Sequence, residues 1–484
     1  MNRQIVQLFG LSMVLFAVLI GFTSHWSVFA SQSLKDNPLN RRPLIEEQQV
    51  PRGLVKADDG TVLARSVGRG RGQERTYVRT YPTGSLFGHS VGYSFIGQGR
   101  AGLERSRNSA LAGQESEFGT VFSQLQNQGR DGKDLITTLD PNAQKVALKA
   151  LGGRNGSVVA IDPQTGRVRV MVSVPEYDPN QVPNRLAQLN RDTDAPLVNR
   201  ATQSRYPPGS TFKVVTTAAA LDTGAYNPQS IIDGRSPRTV SGVPLANDGG
   251  ENFGPITLTD ALTNSVNTVF AQVGERVGRT TLEKYMSRFG FNQDPQLDYP
   301  DGQMNASGVR NGKGKLLSGD AGFDVGRVAI GQGGQEGAIE VTPLQMAEVA
   351  AAVGNRGRLM RPQLTERVVD KDGRVTDRIQ PTRQSQVMSE KAAGELTQMM
   401  GKVVEEGTGT AAALSGAKVA GKTGTAEVDN ATANQAWFIG FAPLDKPQMA
   451  VAVTIERTQG QGGTDAAPIA KQVLEALLGK GGVK

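Results

Sequence analysis

The chain of 484 residues contains no cysteine and two histidines, His25 and His89, both upstream of Leu151. The first absence excludes disulfides, thiolate catalysis and Cys-ligated metals, and it suits an oxidising exterior. The second means that everything from Leu151 onward cannot build a Ser-His-Asp triad, a Cys-His pair or a His-ligated zinc site. A serine nucleophile in that region needs a lysine as its base. Long basic runs are also missing: 53 Lys and Arg stand against 46 Asp and Glu, a net charge of +7. That balance gives a nucleic-acid partner little support and fits a mild attraction to an anionic membrane or wall polymer. Aromatics are scarce at 5%, yet 38% hydrophobic and 20% charged residues with 59 glycines describe a globular chain with many tight turns. The length allows two to three domains.

Near the N-terminus, IVQLFGLSMVLFAVLIGFT (5–23) carries no charge and follows Arg3. It has about the 20 residues of a membrane-spanning helix, and we read it as a signal anchor. The alternative is a cleaved signal peptide, with Val28-Phe29-Ala30 as the cleavage site, but the apolar run is long for that purpose. Lys35, Arg41 and Arg42 follow on the outer side of such an anchor and blur the positive-inside signal.

A polar, Gly-rich stretch of roughly 120 residues comes next, and the composition changes at Gly152-Gly153-Arg154-Asn155-Gly156. This divides the chain into an anchor (1–30), an N-terminal module (31–152) and a C-terminal domain (153–484). SVVAID (157–162), the turn PQTG and RVRVMVS (167–173) predict a valine-rich β-hairpin. STFKVVTTAAALDTG, with two prolines before it and Gly224 at its end, predicts a buried helix. LTDALTNSVNTVFAQVGERVG and TTLEKYMSRFG predict further helices with breaks at Asn264 and Gly278. GKTGTAEV, AWFIGFA and MAVAVTIE predict three strands, closed by a helix from about Asp465 to Leu478. The first hairpin and the last three strands then form one antiparallel sheet, with a helical insert between them and helices packed on it.

Three motifs fall on this frame in order: Ser210-Thr-Phe-Lys213, Ser265-Val-Asn267 and Lys422-Thr-Gly424. Ser210 and Lys213 are three apart on a helix, so their side chains can touch. A helix N-terminus supplies free backbone N–H groups for a developing oxyanion. The same dipole end, burial and a second cation such as Lys422 push the Lys213 pKa down toward a neutral base.

Each motif alone is weak. Ser415-Gly-Ala-Lys418 also matches S-x-x-K and Ser106-Arg-Asn108 also matches S-x-N, and a lone match is more often a surface turn. A capped core helix would explain Ser210 and Lys213 blandly, but a lysine amid Phe212, Val214 and Val215 is costly without a purpose. A polar helix break would explain 264–267, and an exposed strand start 422–425. The order of all three, with no competing histidine, favours chemistry. Gly416-Ala-Lys-Val-Ala-Gly421-Lys422-Thr423 fits the P-loop pattern, but a β-like run into Asp429 and Asn430 follows where a helix is required. Gly97-Gln-Gly99-Arg-Ala-Gly102 matches G-x-G-x-x-G without the preceding strand and reads as a flexible loop.

On these motifs the chain resembles a class B penicillin-binding protein, most similar to the penicillin-binding protein A type. The likeness extends to AIDPQTG (160–166), YPPGSTFK, AIGQG and TPLQM (329–346), WFIGFAP (437–443), RGLVKADDGTVLA (52–64) and GLERSRNSALAG (102–113). The resemblance implies a mixed α/β (α+β) penicillin-binding domain: an antiparallel sheet with helices on both faces and an all-helical insert. An elongated pedestal or dimerisation-type module and one transmembrane helix would precede it. It implies D,D-transpeptidation of peptidoglycan stem peptides ending in D-Ala-D-Ala, inhibition by β-lactams, no cofactor or metal, and a membrane-embedded glycan polymerase of the shape, elongation and division type as partner. The protein would be a single-pass membrane protein with its catalytic domain outside the cytoplasm. Carried over residue by residue, Ser210 is the acylated nucleophile, Lys213 its base, Ser265 the proton relay and Asn267 a stem-peptide ligand. Lys422 faces the substrate carboxylate, Thr423 and Thr425 donate hydroxyl hydrogen bonds, and Gly424 belongs to the same substrate-binding strand. The N–H groups of Ser210 and Thr425 form the oxyanion hole. D,D-carboxypeptidase, β-lactamase-like hydrolase and catalytically silent wall-assembly scaffold remain the alternatives.

Overall fold

Two-residue alternation in the valine-rich segments builds a sheet that is buried on both faces. The computed structural model describes residues 2–25, 48–72, 75–113, 132–317, 322–334, 337–428 and 432–479. The candidate cleavage site at Ala30, the basic residues Lys35, Arg41 and Arg42, and the pair Asp429-Asn430 lie outside them. Strands β1 (Gly156–Ile161), β2 (Val168–Val174), β3 (Ala420–Val428), β4 (Ala433–Ala442) and β5 (Met449–Thr458) form one antiparallel sheet in the order β3-β4-β5-β1-β2. This is the sheet expected from the sequence, with β3 at its edge.

Helices cover both faces. On one face Val158, Val172, Phe438 and Val453 pack with Ala143, Ala147 and Leu151 of α1 (Pro141–Leu151) and with Ile469, Val473 and Leu474 of the C-terminal helix Ala467–Leu478. Residues one position along the same strands, Val159, Met171, Ile439 and Ala452, face the opposite way. There they meet α5 (Pro343–Gly354), and α2 (Lys213–Asp222), α3 (Leu258–Thr263) and α4 (Asn267–Val277) belong to the same hydrophobic core. Most residues at the centres of these strands are therefore buried, which is why the segments read as apolar runs. The insert between β2 and β3 carries helices but is not all-helical as expected: short ribbons such as Arg238–Val240 paired with Val243–Leu245 and Gly308–Arg310 paired with Gly337–Glu340 lie between them.

Upstream of α1, Val55–Lys56, Val62–Arg69 and Asp134–Thr137 join a second sheet, to which the much later strands Thr365–Val369 and Val375–Arg378 also belong. Beside it Glu104, fully buried, accepts from Arg52 at 2.9 Å and from Arg79 at 2.5 Å. Removing either arginine leaves a carboxylate short of its buried partners. The sequence 97–102, read as a flexible loop, forms part of a small hairpin instead: Gly97 (φ +90°) lies in the turn between Ser94–Phe95 and Gly99–Arg100, and Gly99 (φ +83°) opens the second strand.

Chain contacts divide the molecule into one unit of residues 1–51 and 67–78 and another of 52–66 and 79–484. The first holds the helix Asn2–Ser24, apolar on every side. Its segment Arg3–Ser24, which holds an 18-residue stretch of mean hydropathy 2.4, is long and apolar enough to cross a membrane. The site lies wholly in the second unit.

Candidate active site

Pro207 and Pro208 stop any earlier helix, and the chain enters α2 through a short 3-10 turn, Gly209–Phe212. Gly209 has φ +51°, and a Cβ there would lie 2.6 Å from the Thr425 carbonyl oxygen. Gly424 is likewise forced: its Cβ would meet Pro208 O at 2.8 Å. Two glycines thus let the Ser210 turn and the edge strand β3 touch backbone to backbone. Ser210 is half-buried and opens into a cleft of about 920 Å³ that Ser265, Asn267, Thr423, Gly424 and Thr425 also line.

Ser265 reaches the cleft by a strained route. Thr257 caps α3 by accepting from Asp260 N–H, and the helix ends in a left-handed turn. The Ser265 N–H bonds Leu262 O at 3.2 Å and the Val266 N–H bonds Ala261 O at 2.9 Å, the two bonds of a Schellman ending. Glycine normally takes that left-handed position. Here it is Ser265, at φ +60°, a cost on the order of 1–2 kcal/mol.

The conformation aims one hydroxyl at two lysines. Lys422 Nζ donates to Ser265 Oγ at 2.9 Å and Lys213 Nζ to the same oxygen at 3.2 Å. Lys213 also donates to Ser265 O at 2.6 Å and to Asn267 Oδ1 at 2.7 Å, and it sits over the Phe270 ring. Both lysines are fully buried. Burial, then the Lys422 charge, pushes the Lys213 pKa well below that of an ordinary lysine, against a smaller upward pull from Asp248. Burial takes Lys422 down to about 7. Thr425 Oγ1 accepts from Gly462 N–H at 3.2 Å, which leaves its own proton free for the cleft.

A serine at a helix start, a second serine between two buried lysines and a Thr-rich edge strand suit acyl transfer without histidine or metal. The known proteins the chain resembles carry the same theme. The penicillin-binding protein transpeptidase domain matches residues 156–475, and the penicillin-binding protein A dimerisation domain matches 52–134. The chain belongs to the penicillin-binding protein transpeptidase family. It is 35% identical to the peptidoglycan D,D-transpeptidase PbpA of Mycolicibacterium smegmatis, across 99% of this chain and 100% of that one. Its Mycobacterium tuberculosis counterpart is 33% identical over 99% of each. The structure of penicillin-binding protein A from M. tuberculosis as a ceftriaxone acyl-enzyme superposes with a TM-score of 0.80 at 31% identity, covering 90% of this chain and all of that one. A D,D-transpeptidase domain from Eggerthella lenta gives 0.77 at 33% identity, covering 89% and 98%. The chain is accordingly a peptidoglycan D,D-transpeptidase, a serine enzyme of cell wall synthesis, as its sequence resemblance implies.

In this transpeptidase, Ser210, Ser265, Asn267, Thr423, Gly424 and Thr425 come together on one cleft, with Lys213 and Lys422 beneath it. The Lys213 hydrogen bonds run to Ser265 and Asn267 and not to the Ser210 hydroxyl. The rival motifs disperse. Ser415 is an exposed turn residue, and Ser106 Oγ bonds Asp298 O. Gly421, Lys422 and Thr423 lie inside strand β3, so no phosphate loop exists there. Sequence reasoning missed Asn247, Asp248 and Thr408, which reach the same cleft from loops. Asn247 is the anchor of its loop. It donates to Gly234 O and Glu251 O, and accepts from the Thr268 N–H at the start of α4.

Proposed function

We propose that Ser210 is the nucleophile of this D,D-transpeptidase and Lys213 the base that takes its proton. Ser210 Oγ attacks the carbonyl between the two terminal D-alanines of a stem peptide. Ser265, bonded to both lysines, passes a proton to the departing D-alanine amine, and Asn267 holds the peptide. Lys422, Thr423 and Thr425 bind the terminal carboxylate, and the N–H groups of Ser210 and Thr425 stabilise the tetrahedral oxyanion. An acceptor amine from a second stem peptide then attacks the ester, forms the cross-link and frees Ser210. The observation that carries this reading is the single hydroxyl of Ser265 between two buried lysines, beside an accessible serine. Two such lysines are expensive to bury and form no salt bridge among the described residues, so their use is chemical.

The apolar helix Asn2–Ser24 supports a single-pass anchor with the catalytic domain outside the cytoplasm, where stem peptides are. We take residues 31–152 as the pedestal module and 153–484 as the catalytic domain. A membrane-embedded glycan polymerase is the partner this arrangement suits, because cross-linking consumes newly polymerised strands at the same surface. Mass spectrometry of a tryptic digest after penicillin treatment tests the site: the adduct is expected on the peptide containing Ser210 and absent from Ser210→Ala. An adduct on Ser415 would refute the assignment.

A further inference from the structure

Thr408 lies in the short segment between the helix Glu390–Glu405 and the turn Thr410–Ala412, outside all three motifs. Three contacts fix it. Its N–H reaches Thr263 O at 3.4 Å, on the turn that leads into Ser265. The preceding Gly407 sits so close to that carbonyl that a Cβ would lie 2.4 Å from it. On the other side, a Cβ on Gly463 would lie 2.6 Å from Thr408 O. The backbone therefore delivers the Thr408 side chain to the cleft, where Thr408 Oγ1 and Thr423 Oγ1 stand 2.6 Å apart in a hydrogen bond.

A hydroxyl has one proton to give and can accept others. When an anionic group occupies the cleft beside Thr423, the Thr423 proton must point at that group, because a carboxylate offers acceptors alone. The proton between the two threonines then belongs to Thr408. We infer that Thr408 is a positioning residue for the substrate: it donates to Thr423 and so holds the Thr423 hydroxyl toward a free terminal carboxylate, which the pair selects. Chained donors of this kind polarise one another, so the second bond gains from the first. Lys422 Nζ, bonded to Thr423 O at 2.9 Å, puts positive charge at the same end of the strand. The inference rests on the transpeptidase reading of Thr423.

The test compares two probes on the full-length protein, a penicillin with its free carboxylate and the same penicillin as its methyl ester. Thr408→Val is expected to lower the acylation efficiency of the free acid roughly tenfold, the scale of one lost hydrogen bond in a chain of donors. The loss should fall in the apparent binding constant, with the limiting rate within about twofold. The ester, whose acceptor carries no charge, should change within about twofold, and Thr408→Ser should restore the free acid. Equal losses on acid and ester would mean that Thr408 merely supports the loop, and would overturn the inference. So would an unchanged free-acid rate, or no rescue by Thr408→Ser. Labelling that survives Ser210→Ala would overturn the underlying reading instead, a result distinct from any of these.

Discussion

Lys213 donates to the backbone oxygen of Ser265 at 2.6 Å although 52 residues separate them, and the accepting residue is held in the left-handed region at φ +60°. The strain and the bond belong together. A relaxed Ser265 would turn its hydroxyl and carbonyl out of reach of the lysine. Ser265→Gly should therefore separate stability from chemistry: glycine fits the left-handed position and should stabilise the fold by about 1 kcal/mol, while the acylation rate falls. Thermal melts beside penicillin acylation rates check both halves. A variant that melts lower than the wild type would remove the strain argument.

Lys213→Ala should leave a folded protein whose acylation is slower by at least about 10²-fold, the scale of a lost general base. With no histidine downstream of Leu151, no ordinary residue stands ready to replace it. Rapid-quench acylation measures the loss, and a near-normal rate would reject Lys213 as the base.

Acylation should depend on pH through two lysines in opposite senses. Lys213 works unprotonated, and burial and Lys422 depress its pKa, so the rate rises with pH through that lowered value and levels off. Lys422 works charged, and its pKa of about 7 means that carboxylate binding weakens above that pH. Asp248 pulls Lys213 upward, so Asp248→Asn should move the acid limb to lower pH. Lys422→Ala removes a downward push and should move it to higher pH. Stopped-flow profiles of acylation read both shifts. Limbs that stay fixed in both variants would reject Lys213 as the titrating group.

Much of this site was legible because its chemistry is written in short local patterns. Ser210 and Lys213 share one helical turn, and Lys422, Thr423 and Gly424 are contiguous on one strand. The central sheet was legible too, since Val158–Ile161, Val170–Val172 and Ala450–Val453 are runs of buried apolar residues. Thr408, Asn247 and Asp248 were not. They enter the cleft from loops whose course is set by Gly407, Gly463 and the bonds of Asn247, all of them tertiary contacts. The N-terminal sheet was hidden for a related reason: a two-residue strand such as Val55–Lys56 has no period to detect, and its sheet is completed by Thr365–Val369, about 300 residues on. Helical spacing permits a Ser210–Lys213 hydrogen bond, but the Lys213 protons go to Ser265 O and Asn267 Oδ1 instead.

Away from the cleft, Glu348 on α5 is buried in the core, and burial raises its carboxyl pKa to about 8. The unfolded chain releases this proton near the ordinary glutamate value of about 4.3, whereas the folded protein keeps it until about 8. Between those values the folded state binds more protons, so its stability falls as pH rises. Glu348→Gln cannot ionise and should flatten that slope, leaving the variant more stable than the wild type at about pH 8 by a few kcal/mol. Denaturant melts at about pH 5 and about pH 8 compare the slopes. Equal slopes would show that Glu348 titrates normally.

The fate of the acyl-enzyme separates a transpeptidase from a hydrolase. Rapid hydrolysis needs a base that activates water against the ester carbon, and such a base must be held by hydrogen bonds beside the nucleophile. Glu283 and Glu395 sit on helices that do not line the cleft. The acids that do line it, Asp248 and Glu427, are exposed on its rim. The cations nearest Ser265 are instead committed to hydroxyl and carbonyl partners. Penicilloyl-Ser210 should accordingly last on the order of hours, and stem-peptide turnover should rise with added acceptor amine. Neither Asp248→Asn nor Glu427→Gln should lengthen the lifetime further. Release of penicilloate over time, followed with and without acceptor amine, is the measurement. Many turnovers per second without any effect of amine would make the enzyme a hydrolase, and a lifetime extended by Asp248→Asn would identify the water-activating base.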